Sequence, residues 1–102
     1  MAKMNKNHAA GILADVPGDK VFWSNDGLIM RNMNDLASAL QKMKATTFKY
    51  HANAEKNDFS NWINDVMHDQ KLAAGIKGCK TKAEATKLAR KRIAELGKIA
   101  GK

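Results

Sequence analysis

Three stripes of apolar residues at helical spacing, each opened by side chains that can cap a helix, constrain this chain more than anything else in it. Met33, Leu36, Ala37, Leu40 and Met43 recur every three or four positions behind Asn32, with Asp35 three residues on. Phe59, Trp62, Ile63, Val66 and Met67 form a second stripe behind Asn57 or Asp58. Ala85, Leu88, Ala89, Ile93 and Leu96 form a third behind Thr81 and Glu84, which stand in the capping-box arrangement. Between them, Thr46 or Thr47 can start a turn of helix carrying Phe48, Tyr50 and His51. Asp69 can cap a segment with Leu72, Ala73 and Ile76, closed by Gly78 where a left-handed residue commonly stops a helix. A chain patterned in this way must bury several helix faces against one another.

One stretch leaves the helical period. Val21-Phe22-Trp23 and Leu28-Ile29-Met30 flank Ser24-Asn25-Asp26-Gly27, two apolar runs around an Asp-Gly turn, which predicts a β-hairpin. Two strands alone are marginal in water, so the hairpin must lean on helices. Residues 1–17 are polar at first and end at Pro17-Gly18, and they read as a flexible N-terminal arm. With 102 residues, the chain can bury one core and not two. The expected fold is mainly α: a compact four- to five-helix domain over residues 18–100 with a short N-terminal β-hairpin, closing on a helix at about 81–97.

The charge is unevenly placed. Residues 1–69 hold eight Lys or Arg and eight Asp or Glu, whereas residues 70–102 hold ten basic residues against Glu84 and Glu95, so the whole net charge of +8 lies in the last third. Projected at about 100° per residue, Lys87, Lys91, Ala94 and Lys98 fall opposite the apolar stripe of the last helix, with Arg90 beside them. A row of cations about one or two turns apart suits a row of phosphates. Lys77, Lys80 and Lys82 before or at the helix start, and Lys102 after it, extend the patch.

The remaining chemistry is thin. Cys79 is the one cysteine, so no intramolecular disulfide can form and a thiolate zinc site lacks its other ligands. Asp58 can orient His51, yet no Ser or Cys can be placed as its nucleophile, and a buried histidine bonded to a helix cap explains the pattern better. His68 with Asp65 and Asp69 is a sparse ligand set better read as capping and surface charge. Gly75-Ile76-Lys77-Gly78-Cys79-Lys80 is not a phosphate-cradling loop of the Gly-x-x-x-x-Gly-Lys-Ser/Thr kind. Most aromatic residues fall at core spacing; Trp23 and Tyr50 are the two left open for stacking on bases. No apolar run reaches the roughly eighteen residues of a membrane span and no apolar leader follows Met1. The expected setting is the cytoplasm, or the nucleoid if the partner is DNA.

Residues 21–74 resemble a small uncharacterised domain family known mainly from archaea, through Val21-Phe22-Trp23, the segment from Asn32 to Met43, Phe48-Lys49-Tyr50-His51, Asn57-Asp58-Phe59-Ser60-Asn61-Trp62-Ile63, and then Asp69 and Leu72-Ala73. The resemblance implies a compact helical domain and no settled biochemical role, and it does not extend to the basic segment after Gly78. The expected function is therefore non-enzymatic, cofactor-free binding of nucleic acid, largely without sequence preference and DNA more than RNA, by Lys87, Arg90, Lys91 and Lys98 with Lys77, Lys80, Lys82 and Lys102 as auxiliaries. The alternative is a protein-interaction module engaging an acidic partner, or a dimerising adaptor.

Overall fold

In the computed structural model, which describes residues 4–101, six α-helices enclose one core and a two-stranded antiparallel hairpin closes one side of it. The mainly helical class with an early hairpin is as the apolar periodicity predicts. The extra helix comes from the segment expected to be a flexible arm. Helix α1 spans Lys6–Leu13, capped by Asn5, whose Oδ1 accepts from the His8 N–H at 2.7 Å. Ala9 and Ile12, three apart on one face, are buried there. Further on, the Val16 N–H donates to the Arg31 carbonyl at 2.8 Å and Asn32 Nδ2 donates to Asp15 at 2.7 Å, so the link to the hairpin is tied down as well. A polar composition hid a two-residue apolar face that the rest of the fold was able to cover.

Strands β1 (Phe22–Trp23) and β2 (Ile29–Met30) pair Phe22 with Met30 and Trp23 with Ile29. The turn needs the positive φ of 89° at Gly27. Ser24 Oγ accepts from the Leu28 N–H at 2.9 Å and donates to Asp26, fixing the turn from within. Such a short ladder is held by its neighbours: Met30 is fully buried, and Trp62 Nε1–H donates to the Lys20 carbonyl at 2.7 Å.

Helix α2 (Met33–Lys42) starts at Asn32, whose side chain accepts from the Asp35 N–H at 2.8 Å. Helix α3 (Ala45–His51) starts at Lys44 with no side-chain cap; neither Thr46 nor Thr47 serves, and Thr47 is buried instead. Helix α4 (Asp58–Trp62) is capped by Asn57 and widens into a π turn over Ile63–Met67, closed by His68 in the left-handed region at φ 61°. Helix α5 (Gln70–Lys77) is capped by Asp69. Gly78 ends it at φ −85°, without the left-handed conformation expected of it. Helix α6 (Lys82–Ala100) opens on the Thr81–Glu84 capping box and runs past Gly97 to stop at Gly101, φ 79°.

Phe48, Phe59, Met33, Leu36, Leu40, Met43, Ile63, Ile76 and Leu96 fill the centre. Helix α6 packs along α1 and α2 and also meets α5, so it is gripped on three sides and shows one face outward. Among the described residues no helix is long and apolar enough to cross a membrane.

Candidate nucleic-acid interface

Helix α6 begins at a complete capping box. Thr81 Oγ1 accepts from the Glu84 N–H, and the Glu84 carboxylate accepts from the N–H groups of Lys80 at 3.0 Å and Thr81 at 3.2 Å. The Lys80 backbone donor, then that of Thr81, hold this carboxyl below the usual glutamate range. The cap fixes where the helix begins, and packing against α1, α2 and α5 buries Ala85, Ala89, Arg92 and Leu96.

Lys87, Lys91 and Lys98, with Ala94 among them, are exposed on the opposite face. The three lysines fall within an arc of about 40° at 100° per residue. They are spaced about 6 and 10 Å along the axis at 1.5 Å per residue. Among the described residues no ion pair involves any of the three, nor Lys77 or Lys80. Their charge is therefore available to a partner.

Arg90 and Lys82 sit at one edge of this face and are partly engaged. The Arg90 guanidinium donates to Gln41 Oε1, and Lys82 Nζ donates to the Gln41 carbonyl at 3.0 Å in the last turn of α2, where a cation also complements the helix dipole. With Ala83, Thr86 and Lys87 they line a shallow hollow of about 510 Å³. Lys77 and Lys80 precede α6 and line a different cleft, so the structure divides the proposed cations between two surfaces. Lys102 lies outside the described residues.

Arg92, counted in the basic excess, is not part of that surface. Its Nε donates to Asp69 Oδ2 at 2.8 Å and its Nη2 to Oδ1 at 3.0 Å, with both residues buried. The bond to Asp69 raises the Arg92 pKa against the opposing effect of burial. Asp69 also accepts from the Leu72 N–H at 3.4 Å, so one carboxylate caps α5 and anchors α6. The readable signal was Arg92 itself, an ionic residue spaced three and four from Ala89 and Leu96 within an apolar stripe. Gln41 carried no such signal, since its role comes from α2 ending beside α6.

His51 is buried with both ring nitrogens occupied. Nε2 accepts from the Asn25 N–H at 2.8 Å, which places the proton on Nδ1, and Nδ1 lies 2.9 Å from Asp58 Oδ2. Burial alone would raise the Asp58 pKa, but hydrogen bonds from His51 and Lys56 outweigh it and lower it. Rings of Phe22, Tyr50 and Phe59 surround the imidazole at 4.9 to 5.4 Å. This arrangement ties the hairpin turn to α3 and α4. His68 is exposed, whereas Asp69 beside it is buried and turned to Arg92, so the sparse His68–Asp65–Asp69 grouping is not one surface cluster. Phe22, Phe48, Phe59 and Trp62 pack together, while Trp23 is 63% and Tyr50 54% exposed. Burial, followed by the nearby Glu84 charge, pushes the Cys79 thiol up, and the thiol donates to the Gly75 carbonyl at 3.4 Å.

No protein-family model matches this chain, and no curated protein or solved structure matches it significantly.

Proposed function

We propose that this protein is a non-enzymatic nucleic-acid-binding protein that holds the phosphate backbone without reading sequence, DNA in preference to RNA. The observation that carries the reading is the row of Lys87, Lys91 and Lys98 on the outward face of α6, exposed and without ion-pair partners among the described residues. Lysine ammonium groups on such a row displace counterions from phosphates, a contribution that depends on charge and spacing and not on base identity. Arg90 adds a fourth contact at the edge of the row, and Lys77, Lys80, Lys82 and Lys102 are auxiliaries. Titration of labelled duplex DNA and RNA at about 50 and 200 mM salt tests the reading, because several phosphate contacts cost orders of magnitude in affinity over that range. Binding that collapses with salt supports it; no binding at the lower salt overturns it.

A second reading rests on a separate observation. Trp23 and Ile29 are cross-strand partners on the hairpin and are 63% and 37% exposed, a small adjoining apolar pair. Such a pair favours a protein partner or a second copy of the chain, whose association would be nearly insensitive to salt.

A further inference from the structure

The fold brings together lysines that the sequence keeps apart. Lys49 and Lys56 belong to the electrically neutral part of the chain, Lys77 and Lys80 to the basic third. All four line one half-open cleft of about 700 Å³ between the loop at 52–57 and the link from α5 to α6. That volume is within the range of about 300–1,000 Å³ typical of ligand sites. Glu55 is the one acidic residue in the lining. Lys56 is paired with Asp58, but no ion pair among the described residues involves Lys49, Lys77 or Lys80.

The two side-chain amides of the cleft are already spent. Asn53 Nδ2 donates to the Lys49 carbonyl and its Oδ1 accepts from the Glu55 N–H; Asn57 Nδ2 donates to the Ile76 carbonyl and its Oδ1 caps α4. What remains for a ligand is ammonium charge, three lysines without ion pairs against the single Glu55 carboxylate, in a lining that also contains Ala52, Ala54 and Gly78. Such a lining suits an anion held by charge, with a flat or apolar portion, better than one read by directed hydrogen bonds. Tyr50 is not part of the lining but adjoins it through Lys56, whose Nζ lies over one face of the ring at 4.8 Å from its centroid; the ring is 54% exposed.

We infer that this cleft binds unpaired nucleotides, with Lys49, Lys77 and Lys80 on the phosphates and Tyr50 offering a stacking face to a base. The assignment rests on the nucleic-acid reading above and deepens it: α6 holds backbone phosphates, and the cleft next to the α6 start takes the part of a strand that is not base-paired. A duplex, itself convex, meets a concave cleft only at its rim, whereas a splayed strand can enter. Base stacking on an aromatic ring tolerates any sequence.

Cys79 lines the cleft and is the one cysteine of the chain, so it reports occupancy directly. The rate of its alkylation by N-ethylmaleimide is measured with a single-stranded oligonucleotide, with a duplex of equal length, and with inorganic phosphate at matched phosphate concentration, while binding is followed separately by fluorescence anisotropy. Protection by the single strand alone, lost in the Lys49→Glu variant while that variant still binds duplex, is the expected result. Tyr50→Ala should weaken single-strand affinity at least about fivefold and leave duplex affinity in place, with Tyr50→Phe close to the parent. Oligonucleotide binding with an unprotected Cys79 and an indifferent Tyr50→Ala variant overturns the cleft assignment and leaves the α6 reading standing. Equal protection by duplex, or by inorganic phosphate alone, overturns it too. Absence of any binding removes both readings together.

Discussion

Lys91 and Arg92 are consecutive residues of one helix with the same formal charge, and their surroundings give those charges opposite uses. Arg92 points inward, is 7% exposed, and meets Asp69 through two short hydrogen bonds. Lys91 points outward into a row with Lys87 and Lys98 and has no ionic partner among the described residues. A buried ion pair repays its desolvation only when its geometry is good, so its removal by halves is costly. An exposed lysine adds almost nothing to stability, which leaves it free to serve binding. The lesson of α6 is that a tally of charges overstates an interface until each cation has been placed.

The widest separation between the two faces is in folding. Arg92→Ala leaves Asp69 buried and unpaired and should cost about 3–5 kcal/mol in urea unfolding, whereas Lys91→Ala should stay within about 0.5 kcal/mol. Equal losses would break the comparison. In binding the order reverses: Lys87→Glu/Lys91→Glu/Lys98→Glu should lower DNA affinity about a hundredfold or more at about 50 mM salt, with the thermal midpoint unchanged.

His51 sharpens the contrast from another part of the molecule. His51→Ala removes the bonds from His51 to the Asn25 N–H and the Asp58 carboxylate and should cost about 1–3 kcal/mol, while nucleic-acid affinity stays at the parent value. Thr81→Ala removes half of the capping box and should cost about 1 kcal/mol by thermal melting. The smallest effect is in acid. The folded-state pKa of Asp58 lies below its unfolded value of about 3.9, so its contribution is complete above that value and is lost as pH falls through the folded one. Stability measured from pH 2 to 6 should therefore fall less steeply below about pH 4 in Asp58→Asn than in the parent.

The caps and stripes were legible because they are local. Asn32, Asp69 and Thr81 each cap the helix that starts after them, positions readable from residue type and spacing alone, and of Asn57 and Asp58 it is Asn57 that caps α4. Helix α1 was not legible, since Ala9 and Ile12 are too few to mark a stripe and become a buried face only when α6 covers them. The early end expected at Gly97 failed for a related reason: packing along α1 carries α6 on to Ala100, against the cost of glycine inside a helix. For the candidate site, the outward row was readable from the period of α6. The loss of Arg92 to Asp69, the tether of Arg90 and Lys82 to Gln41, and the meeting of Lys49 with Lys77 and Lys80 all depend on the packing of distant segments, which no local pattern encodes.

If Lys87, Lys91 and Lys98 each neutralise a phosphate, the salt dependence of binding registers each of them. The slope of log affinity against log salt for duplex DNA should be shallower by about 2.7 in Lys87→Ala/Lys91→Ala/Lys98→Ala than in the parent, at about 0.9 for every phosphate that no longer meets a lysine. An unchanged slope in a folded variant would contradict the account and move the interface away from α6.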